Sequence, residues 1–232
     1  MATFSFNGVS NTDMSAKLLE MSLPVRASCA QQSATVPGRA EPLMKTGKEY
    51  SSTQTLIKME LQKSANVHDI FKWLSGSGRL IRSDYPDRYY TVSSCGLLSS
   101  DRLNGSYRSI TVSFESLPFA YAIANDPITF AVSPADFYTI GTIYSEPVIK
   151  LYGDGDITIC VNGNYLTIEE VEGYCTIDVP RRVLHKDGVS ILTQSIGALT
   201  KLLLVPDPLA HNHITFTPTC TGIEVTKNER WL

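Results

Sequence analysis

Strict alternation marks the most regular stretches of this chain. Within Tyr50–Leu61, Ile57, Met59 and Leu61 face one way while Lys58, Glu60 and Gln62 face the other, which is the period of a half-buried strand. Arg108–Phe114 repeats the pattern, with Ile110, Val112 and Phe114 inward and Ser109, Thr111 and Ser113 outward. Between them, Arg79–Thr91 reads as two short strands around an Asp84-Tyr85-Pro86-Asp87 turn. Helical spacing is rare. It is clearest over Asn66–Ser75, where Val67, Ile70, Phe71 and Leu74 make one apolar face. Asn66 is placed to cap that helix, Asp69 lies near the positive end of its dipole, and Gly76 suits its end.

Pro118, Pro127 and Pro134, together with Asn125-Asp126, interrupt the pattern. They place a domain boundary at about residue 135, giving domains of residues 1–135 and 136–232. Beyond the boundary the text is almost wholly β. Pro147–Tyr152 reads as a strand and Gly153-Asp154-Gly155-Asp156 as a turn; Ile157, Ile159 and Val161 then alternate with Thr158 and Cys160. Asn162-Gly163 predicts a hairpin, because both central positions of the favoured turn need a positive φ, and Tyr165–Ile168 returns antiparallel. Further strands are expected at Tyr174–Asp178, Arg182–His185, Leu202–Val205, His213–Thr217 and Gly222–Val225, while Ser195–Leu204 is also compatible with a helix. Many short strands with frequent turns point to a β-sandwich or jelly roll.

Composition narrows the function. The net charge of −3 leaves no basic surplus to neutralise phosphates, so nucleic acid is not the expected main partner. No stretch reaches the roughly 18 apolar residues of a membrane helix, and the opening residues lack a secretion signal, so folding in a cytoplasm is expected. Cys29, Cys95, Cys160, Cys175 and Cys220 are scattered, with no C-x-x-C pair, and read as buried free thiols.

Catalytic markers are missing from the text. There is no G-x-S-x-G elbow, Walker loop or dinucleotide fingerprint. Ser75-Gly76-Ser77-Gly78 is glycine-rich, but it follows a helix, whereas phosphate cradling uses a helix N-terminus. Asp154-Gly155-Asp156 lacks the late carboxylate of a calcium loop and reads as a hairpin turn. His211 and His213 have a metal-like spacing on one strand face, without a third ligand that can be named. His68 and His185 have no acid–base neighbour in sequence and read as structural. Trp73, one residue from the helix's apolar face, and Trp231 would suit a saccharide platform, but their positions favour packing. No catalytic, cofactor-binding or metal residue is therefore assigned.

Several stretches resemble the distal tail protein (Dit) family of siphophages. Phe6-Asn7-Gly8-Val9-Ser10-Asn11-Thr12-Asp13-Met14 resembles the family's first strand and turn. Val36-Pro37-Gly38-Arg39 resembles its conspicuous loop, although here Ala40-Glu41 follows where family members usually have Asp-Gly. Tyr50–Leu61 is similar to the strand after that loop and Asp69–Leu80 to the helix and its exit turn, and Ser83–Tyr90 continues the likeness. Phe114 and Pro118-Phe119-Ala120-Tyr121 resemble the close of the N-terminal domain. Gly141–Pro147, Ile149–Gly153, Ile157-Thr158 and Val161-Asn162-Gly163 are similar to the family's C-terminal sandwich, and Ile223-Glu224-Val225 and Arg230-Trp231-Leu232 to its last strand and chain end. The likeness runs in order along nearly the whole chain and is poorest over Arg181–His211.

The resemblance implies a mainly β protein with one short helix in a ring-forming N-terminal domain, followed by a galectin-like β-sandwich. It implies a non-enzymatic virion protein of the distal tail end, made in a bacterial cytoplasm. Its N-terminal domains would close a homo-hexameric ring joining the tail tube protein to the tail-tip hub or tail-associated lysin, open for the tape measure protein and DNA. Longer relatives carry inserted carbohydrate-binding modules, and a chain of 232 residues is expected to have none. The Gly38–Tyr50 loop is expected to reach the adjacent subunit. Two other functions are compatible with the text: a carbohydrate-binding host-recognition module on the sandwich, and a tail hydrolase, which would require a clustered carboxylate or Cys/His site.

Overall fold

A computed structural model describes residues 3–35, 37–103, 107–206 and 211–232. The chain divides into two units, the first ending at Ala120 and the second spanning Tyr121–Trp231. The division precedes the expected boundary at about residue 135. The proline-rich stretch beyond Tyr121 does not form a linker; it contributes edge strands to the second unit.

The first unit contains β1 (Phe4–Phe6), β2 (Val9–Ser10), β3 (Ala16–Met21), β4 (Cys29–Ala34), β5 (Leu43–Tyr50), β6 (Thr53–Leu61), α1 (Val67–Trp73), β7 (Gly78–Arg82), β8 (Tyr85–Leu103) and β9 (Tyr107–Ala122). Its main sheet has the order β2-β1-β7-β8-β9-β6-β3. Alternation sets the register: Ile57 pairs with Val112 and Met59 with Ile110, and all four are buried. The inward residues pack with Phe4, Phe6, Leu80, Phe114 and the helix residue Ile70 into one core.

Asn66 caps α1 as expected, its side chain accepting the His68 backbone N–H at 3.1 Å. The buried face differs from the expected one in one respect. Phe71 is exposed, and Trp73 packs inward beside Ile70 and Leu74. The turn between β7 and β8 also differs: it sits at Ser83-Asp84, and Tyr85-Pro86 already belongs to β8. Arg82 explains the shift, because its guanidinium folds back onto Asp84 and fixes the turn there.

The second unit contains β10 (Ile128–Phe130), β11 (Ala135–Phe137), β12 (Val148–Gly153), β13 (Gly155–Val161), β14 (Asn164–Val171), β15 (Tyr174–Asp178), β16 (Val183–Lys186), β17 (Val189–Ser190), β18 (Ser195–Gly197), β19 (Asn212–Phe216) and β20 (Cys220–Thr226). They form two sheets, β10-β20-β12-β15-β16-β17 and β11-β19-β13-β14-β18. Ile149, Leu151, Ile177, Ile223 and Val225 of the first sheet share one core with Ile157, Ile159, Leu166, Ile168 and Ile214 of the second. This is a β-sandwich.

Asn162 (φ 48°) and Gly163 (φ 82°) make the expected hairpin turn between β13 and β14. Gly153–Asp156 is not a hairpin, because β12 and β13 lie in different sheets and the chain turns a corner there. Leu202–Val205 is not a strand either; only Leu204 bridges, to Ser145. Of Ser195–Leu204, the first three residues form β18 and Leu199–Lys201 a single 3-10 turn.

Candidate functional site

The first unit holds more backbone than its core can use. β4 and β5 pair only with each other, from Cys29↔Tyr50 to Ala34↔Leu43, as a separate two-stranded ribbon. The expected Gly38–Tyr50 loop is thus largely the second strand of a hairpin, turning at Gly38 (φ 81°), with Val36 of the expected loop motif outside the described residues. Every described side chain from Gln31 to Leu43 is exposed. A two-stranded ribbon without an apolar face is marginally stable in water. Its root, by contrast, is anchored. Ser28 and Ser51 exchange backbone and side-chain hydrogen bonds, the Cys29 thiol donates to the Gly47 carbonyl, and the Tyr50 ring meets Phe119 edge-on at 5.3 Å. A cleft of about 700 Å³ lies at this root, between Arg26–Cys29, Gln31, Gly47 and Tyr50.

β8 and β9 are unusually long, of 19 and 16 residues. At ~3.3 Å per residue they span roughly 60 and 50 Å, several times the usual strand. The core uses β8 only as far as Val92 and Cys95. Beyond that point Leu97 and Leu98 are exposed, Leu98 by 58%. Burial pushes the Cys95 thiol up to about 11, so it stays protonated at the last core position of β8.

Exposed apolar side chains also line the approach to the β4–β5 ribbon. Leu19 sits at a β-bulge of edge strand β3, Leu56 lies on the outer side of β6, and Leu23 (78% exposed) and Val25 follow in the extended segment that leads to β4. This segment is held in place. The Arg82 guanidinium donates to the Ser22 carbonyl at 2.8 Å, and the Leu56 N–H donates to the Ser22 hydroxyl at 2.9 Å. The Arg82 hydrogen bonds hold the Asp84 carboxyl below its ordinary value. A ribbon without a core of its own, the exposed Leu97 and Leu98 of β8 and a fixed edge carrying leucines form a surface suited to another protein chain.

The residues singled out in the sequence serve other ends. Trp73 donates its indole N–H to the Phe6 carbonyl at 3.0 Å and stacks on Phe4, and Trp231 is buried. Gly76 (φ 80°) ends the helix, while Gly78 leaves room for the Asn7 amide, which accepts from Arg79 N–H and donates to Ser77. Asp154 and Asp156 accept the backbone N–H groups of Gly173 and Glu170 at the sandwich corner. His213 Nδ1 lies 2.7 Å from Asp136, and His211 Nε2 lies 2.9 Å from the Tyr138 hydroxyl, so the two imidazoles have separate partners across the strand. No group of three or more metal-ligating side chains occurs among the described residues. His68 is exposed, and His185 keeps a buried Nδ1 without a hydrogen-bond partner. Cys160, Cys175 and Cys220 are buried, while Cys29 and Cys95 are half-buried; all five thiols are free. The β4–β5 ribbon left no signal in the alternation, because it faces no core.

No protein-family model matches the chain, and no curated protein matches it. Among solved structures it is similar to the Dit protein (gp 19.1) of SPP1, described as a paradigm of the hub adsorption apparatus in phages that infect Gram-positive bacteria. The two are 14% identical and superpose over 100% of each chain with a TM-score of 0.73. The chain has the fold of that distal tail protein.

Proposed function

We propose that this chain is a structural, non-catalytic virion protein at the distal end of a phage tail. Its first units close a homo-hexameric ring that joins the tail tube protein to the tip hub, around a passage for the tape measure protein and DNA. The observation that carries this reading is the fold shared with the SPP1 protein along the whole of both chains, in both units and not in the sandwich alone. The surface physics points the same way. A ring needs one patch to meet a different patch of the next copy, repeated until rotation closes it. The β4–β5 strands form an unburied hairpin whose stability calls for a partner surface. The leucines beside them supply apolar area toward the ~800 Å² per partner of a stable interface.

Light scattering on the purified protein tests the reading, together with electron microscopy of negatively stained particles. Six copies of the 25.5 kDa chain give about 153 kDa and an annulus with a central opening. A monomer that forms no annulus even when co-expressed with tube and hub proteins refutes it.

A further inference from the structure

The solvent side of the six-stranded sheet is organised beyond what exposure to water requires. Tyr152 on β12 and Tyr174 on β15 are direct cross-strand partners, with ring centroids 6.4 Å apart and planes tilted by 40°. The Lys150 ammonium lies 4.8 Å from one ring centroid and 4.6 Å from the other. Each phenol is tied to a carboxylate: Tyr152 donates to Glu224 at 2.9 Å, and Tyr174 donates to Asp187. Tyrosines on a solvated face lack core packing to fix their rotamers, and here charged hydrogen bonds do so. The result is a two-ring pad whose ordering entropy is already spent before any ligand arrives.

One residue pair further along the strands, a continuous polar row crosses the sheet. Glu224 lies opposite Lys150, Lys150 opposite Thr176, and Thr176 opposite His185. Neighbouring strands are about 4.8 Å apart, so the row sets carboxylate, ammonium, hydroxyl and imidazole side by side across the sheet. His185, at the end of the row, is partly exposed and adds an imidazole to it. A saccharide fits this combination: its C–H face stacks on an aromatic ring, and its hydroxyls both donate to carboxylates and accept from ammonium, imidazole and hydroxyl groups. An apolar peptide anchor would want a pocket, and the two clefts lined by Leu61–His68 with Arg108 and by Arg26–Cys29 with Tyr50 both lie in the first unit.

We infer that the outer face of the six-stranded sheet, centred on Tyr152, Tyr174 and Lys150 with Glu224 and His185 beside them, is a saccharide-binding site. It stands independently of ring assembly, because all five residues belong to the second unit.

The test displays the full chain tetravalently on streptavidin, so that weak single contacts add, and probes it with an array of plant, animal and bacterial-wall glycans. Binding to a defined glycan family is expected. Tyr174→Ala and Lys150→Ala each weaken it about tenfold or more, while Tyr174→Phe, which keeps the ring, weakens it less than Tyr174→Ala. Circular dichroism confirms that each variant is folded, and His185→Gln provides a further variant should an alanine variant not fold. Binding to no glycan overturns the inference, as does binding that all these variants leave intact. Capture only of displayed peptides in a parallel screen would assign the face to a protein partner and overturn it too.

Discussion

Removing the Asp84 carboxylate would strand a guanidinium that folding has already taken out of water. The Arg82 side chain is 2% exposed, and it donates to the two Asp84 oxygens at 2.9 and 2.7 Å and to the Ser22 carbonyl at 2.8 Å. In Asp84→Ala only the Ser22 contact survives. Stripping one partner from a fully buried pair costs about 3–5 kcal/mol. The Asp84 side chain is 36% exposed, so water replaces part of the loss, and halving the figure gives roughly 1.5–2.5 kcal/mol. At about 3 °C per kcal/mol for a domain of this size, the first unit should melt about 5–8 °C earlier. The pH dependence carries a sign. The carboxyl is held below its ordinary value, foremost by the Arg82 hydrogen bonds, so its stabilisation is complete above the unfolded value of about 4 and disappears as pH falls through the lower folded value. Scanning calorimetry of both proteins between pH 7 and pH 2.5 should show the gap closing at the acid end. A gap under about 1 °C at pH 7, or one that stays constant to pH 2.5, would show that Arg82 does not depend on this partner.

Three further outcomes are expected. Deleting Arg39–Lys48 removes most of β5 and the turn before it, and light scattering should then find a folded monomer in place of the ring; an unchanged ring excludes the ribbon from assembly. Gly141→Ala would put a Cβ 2.4 Å from the Arg230 carbonyl oxygen, a clash with backbone that cannot swing aside, and denaturant titration should register a loss of roughly 1–3 kcal/mol. Burial drives the Cys175 thiol up to about 12, so iodoacetamide at pH 8 should leave it unlabelled in the native protein and modify it after unfolding, as read by intact mass.

What the sequence disclosed tracks what faces a core. β6 and the first half of β9 announce themselves because Ile57, Met59, Ile110 and Val112 must all point one way. Asn162-Gly163 is legible for a local reason, since two positive φ angles leave little choice of turn. β4 and β5 are illegible by the same logic: Cys29–Ala34 is mostly small and polar, Leu43–Tyr50 has no clean alternation, and neither covers a core. β8 continues for 11 residues past Val92 through Ser93–Leu103, where nothing in the apolar period says that pairing goes on. The sandwich corner reads as a hairpin because Asp154-Gly155-Asp156 carries the residues of any tight turn, while the change of sheet depends on the partners of β12, far along the chain at Tyr174–Asp178 and Cys220–Thr226. The saccharide candidate was equally hidden. Tyr152, Tyr174 and Glu224 become neighbours only through strand register, and the sequence pointed instead to the tryptophans, which pack inside.

The strand order of the sandwich also sets a timetable. β20 lies between β10 and β12 in one sheet, and β19 lies between β11 and β13 in the other. Both of these central strands are translated after every other member of their sheets. Until they emerge from the ribosome, β10 and β11 have nothing to pair with, and β12 and β13 each keep one pairing edge unfilled. Such distant pairings fold slowly and leave nascent chains exposed to aggregation. The second unit therefore cannot complete its pairing before Thr226 has been made.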